Sequence, residues 1–177
     1  MVKSKQQQNI ILIGPMGAGK SSVGKYIATQ LGMEFYDTDE EIEKRTGVSI
    51  SWIFDIEGPE GFSKREENLV KELVGLSNIV LATGGGTIVS PYCRDLLREN
   101  GKMIYLKVSL ELQQTRTINE SRRPLLQVPD REKVLIQLQE EREHLYEALA
   151  DFCVLTDKRG IPAVGNDILN WLRERPS

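Results

Sequence analysis

The feature that most constrains the fold is a glycine-rich segment at residues 14–21, which reads GPMGAGKS and matches the pattern GxxxxGK[ST]. It follows the apolar run 10–13 and precedes a stretch with helical periodicity, so it lies at a predicted strand-to-helix junction. Glycines let several backbone N–H groups converge on one anion, and a helix N-terminus adds a favourable dipole. The segment predicts a nucleotide-phosphate site, with Lys20 on the β- and γ-phosphates and Ser21 on Mg²⁺.

Short apolar runs alternate with stretches of helical periodicity along the chain. The runs are residues 10–13, 34–36, 79–82, 103–108 and 152–155. The clearest helical stripes are Val23/Ile27/Leu31, Phe62/Leu69/Leu73/Leu76 and Val134/Leu138/Leu145/Leu149. This alternation predicts an α/β fold with a mostly parallel sheet, against which we expect the three stripes to pack. No repeat or low-complexity linker interrupts the chain, so we expect one domain over residues 1–177.

Composition narrows the choice of partners. A formal charge of -3 and a pI near 5.4 argue against nucleic acid and favour a small molecule. No apolar run approaches the ~20 residues that span a membrane, and the polar first nine residues lack a secretory core, so we expect a cytoplasmic protein. Cys93, Cys153 and the single histidine, His144, form no zinc or redox motif, and we expect both thiols to be buried and inert.

Two aspartates, Asp37 and Asp39, follow the second predicted strand. If the chain is still extended there, both carboxylates point the same way, one for the Mg²⁺ shell and one to accept a proton from a substrate hydroxyl. Alternatively, Asp39 only caps a helix that begins at Glu40. No predicted strand ends in a lone aspartate of the Walker B kind, so Asp37 is the natural magnesium ligand.

Residues 83–86, TGGG, follow the third predicted strand. Three consecutive glycines allow a ligand to approach the backbone closely, and a plain flexible turn is the alternative. Arg142 and Glu66 each fall on a helix face that should be apolar. An inward-facing ion needs a partner, so these two either pair with each other or Arg142 meets a carboxylated substrate.

Residues 119–130 contain two prolines and two adjacent arginines and show no sustained periodicity, which favours a mobile loop and a candidate lid. From such a loop, Arg123 could neutralise charge on a transferring phosphoryl group. The alternative is an exposed, solvated arginine.

Together these segments resemble the bacterial shikimate kinases, members of the nucleoside-monophosphate-kinase-like P-loop fold, over nearly the whole chain. The matching segments are GPMGAGKSS, FYDTDEEIEKRTG, EGPEGF, LATGGG, RRPLL and the arginine ahead of HLY. The resemblance implies a three-layer α/β sandwich of the P-loop NTPase fold, with five parallel strands in the order 2-3-1-4-5. It also implies a monomer that transfers the γ-phosphate of ATP to the 3-hydroxyl of shikimate.

The resemblance assigns roles to individual residues. The ATP phosphates would contact Gly17, Ala18, Gly19, Lys20, Ser21, Ser22 and the lid residue Arg123. Arg116 and residues 156–161, including Arg159, would flank adenine, and Ser21 and Asp37 would serve Mg²⁺. Shikimate would contact Asp39, Gly84, Gly85, Gly86 and Arg142, with Arg142 on its carboxylate. Catalysis would fall to Lys20, Arg123 and Asp39, the last as a candidate base.

One departure concerns the shikimate carboxylate. The family usually has an arginine directly after the phenylalanine of this segment, whereas Ser63 follows Phe62 here. On a helix, Lys64 and Arg65 are rotated from Ser63 by about 100° and 200°, which leaves Arg65 nearer the apolar boundary. A lost hydrogen bond to a charged group costs about 1.5 to 3 kcal/mol, or about 10- to 150-fold in affinity. We therefore expect a raised KM for shikimate unless Arg65 reaches the site.

A smaller departure is His144, where the family commonly has proline, and we expect little from it. Two other functions stay open. Another small acceptor, such as gluconate or a nucleotide, is compatible with the same phosphate loop. A nucleotide-binding regulator without turnover is supported by Ser63 alone.

Overall fold

Parallel strands and helices alternate along the chain in the computed structural model, which describes residues 8–119 and 124–175. The strands are β1 (Asn9–Ile13), β2 (Glu34–Asp37), β3 (Ile79–Ala82), β4 (Gly101–Lys107) and β5 (Phe152–Leu155). The helices are α1 (Lys20–Leu31), α2 (Thr38–Thr46), α3 (Ile50–Val74), α4 (Pro91–Asn100), α5 (Leu110–Thr117), α6 (Arg131–Leu149) and α7 (Ile161–Glu174). Short 3-10 turns lie at Thr87–Val89 and Pro124–Leu126. Within the described residues, no helix has the length and apolar character needed to cross a membrane.

The five strands form one parallel sheet in the order β2-β3-β1-β4-β5, as expected from the sequence. In the central strand, Leu12 pairs with Ala82 on one side and with Ile104 on the other. All strands point the same way, so their carboxyl ends meet at one edge of the sheet. The phosphate loop, Asp37 and the glycine turn all follow strands at that edge, where open α/β folds bind ligands.

Side chains of the sheet alternate between two apolar cores. Ile11, Ile13 and Leu81 face a cluster that contains residues of α3, α4 and α6. Leu12 and Val80 face the opposite cluster, which contains residues of α1 and α7. Each fully buried side chain of this kind stabilises the fold by roughly 1.5 to 3 kcal/mol. The result is the three-layer sandwich expected for this sheet order.

Helix α3 differs from its prediction at the C-terminal end of the apolar stripe, whereas Phe62 packs on the core as expected. Gly58, at φ 72°, breaks the helical path just before Pro59, so two helical pieces meet there. The helix ends at Val74, and the N–H of Gly75 caps it on the carbonyls of Glu72 and Leu73. Leu76, expected on the buried stripe, therefore lies beyond the helix and is 40% exposed. That part of the prediction was wrong because glycine has a low helical propensity and favours a helix end.

Helix α6 packs on two different surfaces. Its second half joins the sheet cluster through Leu145 and Leu149, as expected. Its first half extends past the sheet, so the expectation that the whole stripe packs on strands was wrong. It contributes instead to a third cluster made of Met16, Leu110, Leu126, Val134, Leu135 and Leu138.

The two cysteines have different environments. Cys93 is buried in α4, and burial raises the pKa of its thiol to about 11. Cys153 is exposed, so the expectation of burial was wrong for this residue. It lies on β5, an edge strand that pairs only with β4, and an edge strand leaves more side chains open to solvent.

Candidate nucleotide and acceptor site

The phosphate loop joins β1 to α1 and has a backbone that requires glycine. Gly14, Gly17 and Gly19 have φ values of 148°, 78° and 90°. A Cβ atom at Gly14 would lie 2.5 Å from the carbonyl oxygen of Leu106, so no side chain fits there. Helix α1 begins at Lys20, and the N–H groups of a first helical turn have no partner within the helix. The loop therefore presents backbone donors to an anion, as the sequence predicted.

Lys20 lies over this loop and is only 8% exposed. Its ammonium donates hydrogen bonds to the carbonyl oxygens of Gly14 and Pro15, at 2.7 and 2.8 Å. Ala18 is buried beneath the loop, and Ser22 is exposed in the first turn of α1. The flexible lysine side chain therefore places its positive charge at the predicted phosphate position.

Asp37 ends β2 and connects the phosphate loop to α2. The Ser21 hydroxyl donates to its Oδ2 atom, while Oδ1 accepts from the N–H groups of Asp39 and Glu40 at 2.9 and 3.1 Å. Asp37 is therefore the N-cap of α2, which begins at Thr38. The expectation of an extended chain through Asp39 was wrong, and so was the alternative of Asp39 as the cap. A carboxylate at this position satisfies two unpaired N–H groups, which favours an early helix start.

The contact between Ser21 and Asp37 brings a hydroxyl and a carboxylate oxygen together beside the phosphate loop. Mg²⁺ prefers oxygen ligands and is commonly bound through one or two carboxylates, water and substrate phosphates. The donor chemistry of this pair fits such an ion.

An open cleft of about 550 Å³ lies next to the phosphate loop. Helix α3 forms one wall, and α6 and the described end of the predicted lid segment form others. Its polar lining consists of Asp39, Ser63, Glu66, Glu67, Ser90 and Arg142. The three glycines of the TGGG turn also line it.

The glycine turn is an ordered part of this cleft rather than a plain flexible turn. The N–H of Gly84 donates to the Thr38 hydroxyl at 2.9 Å. Tyr146 donates from its hydroxyl to the carbonyl oxygen of Gly85 at 2.5 Å. A Cβ atom at Gly86 would lie 3.4 Å from an Nη atom of Arg142, in ordinary contact, whereas one at Gly84 would lie 3.0 Å from Oδ1 of Asp39 and would crowd the cleft lining.

Arg142 reaches this turn from α6. The Nε atom of this arginine is buried, and it has no hydrogen-bond partner in residues 8–119 and 124–175. Over the same residues, no ion pair joins Arg142 to Glu66, so the pairing that the sequence left open is not formed. A buried cationic group with unused donor capacity is suited to bind an anion such as a carboxylate.

Glu66 is the buried acid of the cleft, at 5% exposure. Its Oε2 atom accepts a hydrogen bond of 2.7 Å from the Thr87 hydroxyl. Burial, with a contribution from the charge of Asp39, raises the pKa of this carboxyl to about 7, although Thr87 and Arg142 act in the opposite direction. Periodicity singled out Glu66 as a misplaced charge, but sequence reasoning gave it no role in the site.

The residues that could replace the family arginine do not reach the cleft. Ser63 itself is half-buried on the cleft wall. Arg65 turns away to Glu57, with Nε–Oε2 and Nη2–Oε1 distances of 2.7 and 2.5 Å, and it is an exposed side chain. Lys64 is exposed as well. The cleft wall of α3 thus offers a hydroxyl where the family usually offers a guanidinium.

On the other side of the phosphate loop lie two further predicted residues. Arg116 donates to the carbonyl oxygen of Gly17 at 2.9 Å and lies beside Thr156, at the start of the loop between β5 and α7. Arg159, in that loop, forms a 2.7 Å ion pair with Asp167 of α7. The geometry brings Arg116 to the phosphate loop but directs Arg159 towards its own neighbouring helix.

The predicted lid is described only in part. Arg123 lies outside the described residues. The residues that follow it, Pro124 and Leu125, line the cleft, and Leu126 is buried against Met16 of the phosphate loop. This segment therefore touches both the cleft and the loop.

A family model described as shikimate kinase matches residues 16–173. The chain belongs to the shikimate kinase family. It is 53% identical over 165 residues to the shikimate kinase of Legionella pneumophila strain Corby, covering 93% of this chain and 94% of that one. It is 50% identical over 169 residues to the shikimate kinase of Pseudoalteromonas atlantica, covering 96% and 99%.

A solved shikimate kinase has nearly the same structure. The protein from Acinetobacter baumannii in complex with shikimate gives a TM-score of 0.94 at 41% sequence identity, covering 98% of this chain and 97% of that one. Membership of the shikimate kinase family makes this chain an ATP-dependent kinase. We refer to the cleft beside the phosphate loop as the acceptor cleft.

Proposed function

We propose that this protein transfers the γ-phosphate of ATP to the 3-hydroxyl of shikimate. The observation that carries the proposal is the cleft beside the phosphate loop, in which Asp39 lies near Gly84 and Arg142 lies near Gly86 of the same glycine turn. An inward arginine suits the carboxylate of the acceptor, and a carboxylate suits its hydroxyls. Family membership and the shikimate complex of the Acinetobacter baumannii relative support the same substrate.

The nucleotide side follows from the loop geometry. Backbone N–H groups of residues 17–22 would bind the phosphates, and Lys20 would exchange its carbonyl partners for the β- and γ-phosphates. Ser21 and Asp37 would hold Mg²⁺, Asp37 through water. Bound Mg²⁺ supplies charge neutralisation on the β- and γ-phosphate oxygens. Arg123, from a lid near residues 119–130, would add a further positive charge.

The acceptor side supplies orientation and a proton acceptor. The acceptor oxygen forms a bond to the γ-phosphorus, the bond from that phosphorus to the β,γ-bridging oxygen breaks, and ADP leaves. The proton of the hydroxyl passes to Asp39. Phosphoryl transfer depends mainly on positioning and on electrostatic stabilisation, so Asp39 serves as much by fixing the hydroxyl in line as by its basicity.

The adenine site, the oligomeric state and the cellular location do not involve the reacting atoms. Arg116 and the loop 156–161 with Arg159 would flank adenine, supported by the position of Arg116 between the phosphate loop and Thr156. We infer a single domain over residues 1–177 that acts as a monomer, as the resemblance to the shikimate kinases implies. Use of ATP as the donor agrees with a cytoplasmic location.

Steady-state ADP release would test the acceptor. We expect saturable turnover with shikimate and little with gluconate or a nucleoside monophosphate. The variant Arg142→Met should raise the KM for shikimate about 10- to 150-fold, as expected for a lost charged hydrogen bond, and should leave the KM for ATP nearly unchanged. Arg98→Met, at an exposed arginine of α4, is the matched control.

Three outcomes would contradict this proposal. Turnover that does not depend on shikimate would remove the substrate, and preferred turnover of gluconate would replace it. Binding of Mg·ATP without phosphate transfer to any acceptor would instead favour the nucleotide-binding regulator.

A further inference from the structure

Two acids lie on the same side of the glycine turn. A Cβ atom at Gly84 would lie 3.0 Å from Oδ1 of Asp39 and 3.1 Å from Oε2 of Glu66. The two carboxyl oxygens are therefore at most 6.1 Å apart, the sum of these distances. Both residues line the acceptor cleft. Two carboxylates this close, one of them on the buried Glu66, disfavour simultaneous ionisation.

Titratable groups on helices α2, α3, α4 and α6 lie near Glu66. Asp39 faces it from α2, Glu67 from its own helix α3 and Arg142 from α6, and the Cys93 thiol of α4 is also near. Glu66 has no ion pair within the described residues. The hydrogen bond that it accepts from Thr87 comes from an uncharged hydroxyl group. Ser63, one helical turn before it, adds no charge. An acceptor carboxylate bound to Arg142 would occupy this arginine and add another negative charge.

We propose that Glu66 is an acceptor-binding residue that works as a neutral carboxylic acid and carries a proton while the acceptor is bound. This role rests on the proposed function, because it concerns the same anionic acceptor. Thr87 already donates to Oε2, so the proton belongs on Oε1. A protonated carboxyl has one O–H donor, which an ionised one lacks, and can offer it to an oxygen of the acceptor.

The two acids of the cleft thereby have different tasks. In the proposed function Asp39 receives the proton of the reacting hydroxyl, whereas Glu66 is the neutral group that donates a hydrogen bond. Pairs of carboxyl groups with separate roles arise where burial and neighbours push their protonation apart. Burial of Glu66 already raises its pKa to about 7, so the neutral form is accessible near neutral pH.

The test is the pH dependence of shikimate binding. For the unaltered protein, the KM for shikimate should rise about tenfold between pH 6 and pH 8, as for loss of one proton with a pKa near 7, while the KM for ATP stays nearly constant. Glu66→Gln keeps the shape and a donor without the titration. Its shikimate KM should stay within about threefold across this range and near the low-pH value of the unaltered protein.

Calorimetry in two buffers of different ionisation enthalpy gives a second readout. At pH 8, binding of shikimate should take up about one proton in the unaltered protein and none in Glu66→Gln. Glu60→Gln, at an exposed acid of the same helix, is the control and should behave like the unaltered protein.

The proposal is overturned if the KM for shikimate is flat with pH and no proton is taken up, or if Glu66→Gln weakens shikimate equally at every pH. The latter result would show that Glu66 contributes to binding without changing its protonation state over this pH range. Proton-linked binding of shikimate without turnover would instead contradict only the proposed function, so the two failures are distinguishable.

Discussion

Replacing Ser63 with arginine should tighten the hold on shikimate. Ser63 lies on the cleft wall, and the cations next to it in sequence do not substitute for it, since Arg65 is paired with Glu57 and Lys64 is exposed. A charged hydrogen bond to the acceptor carboxylate contributes about 1.5 to 3 kcal/mol. The KM for shikimate should therefore fall in Ser63→Arg by about 10- to 150-fold, towards the lower figure because a long side chain loses rotamer freedom on binding.

The same substitution should change the pH profile. An arginine at position 63 would lie one helical turn from Glu66, and a nearby cation favours the ionised form of a carboxyl. The rise in shikimate KM between pH 6 and pH 8 should therefore move to lower pH in the variant.

The assay is ADP release at fixed ATP and varied shikimate, with Asn68→Arg as a control that adds an arginine to an exposed position of the same helix. Arg65→Ala should leave the KM within about twofold of its original value. An unchanged KM in Ser63→Arg, or an equal fall in the Asn68→Arg control, would refute the assignment of this wall to the acceptor carboxylate.

Three further results are expected. Folding raises the pKa of Glu66 from 4.5 to about 7, so the original protein loses stability as the pH rises through that window. Glu66→Gln has no such titration. Relative to the original protein, its free energy of unfolding should therefore increase by on the order of 3 kcal/mol between pH 4.5 and pH 7.5. Denaturant unfolding at both pH values measures this, and a constant difference would contradict it. Asp37→Asn should keep the melting temperature close to the original, since asparagine caps a helix as well as aspartate. The Mg²⁺ concentration needed for half-maximal turnover should rise about 10- to 100-fold in this variant. An unchanged Mg²⁺ dependence would exclude Asp37 from the metal site. A thiol reagent at pH 8 should label Cys153 quickly and Cys93 only after unfolding, which mass spectrometry of peptides can follow, and equal labelling would contradict the burial of Cys93.

Local signals in the sequence predicted the strands well. The runs 79–82 and 152–155 coincide with β3 and β5. Every residue of β3 is buried, as expected for a continuous apolar run in a parallel sheet, whereas Val154 is the only buried residue of the edge strand β5. The starts of β1 and β4 were missed, since Asn9 and Gly101 pair through their backbones, and ladder hydrogen bonds do not need apolar side chains.

The residues of the site likewise differ in how well the sequence predicted them. The phosphate loop was predictable because its motif acts through the backbone of contiguous residues. Periodicity also identified Arg142 and Glu66 as inward-facing charges. What each touches could not be read from the sequence, since these contacts join α6, α3 and the glycine turn. The turn of Arg65 towards Glu57 likewise depends on the break at Gly58, a bend that periodicity does not reveal.

Met16 lies where the phosphate loop, the acceptor cleft and the predicted lid meet. It packs on Leu126, which lies within the predicted lid, and it lines the acceptor cleft. A Cβ atom at Gly85 would lie 3.3 Å from its backbone nitrogen. A phosphate that changes the conformation of this loop would therefore move a residue that lines the acceptor cleft and also packs on Leu126. Linkage then requires reciprocity: whatever factor ATP applies to the affinity for the acceptor, the acceptor applies to the affinity for ATP.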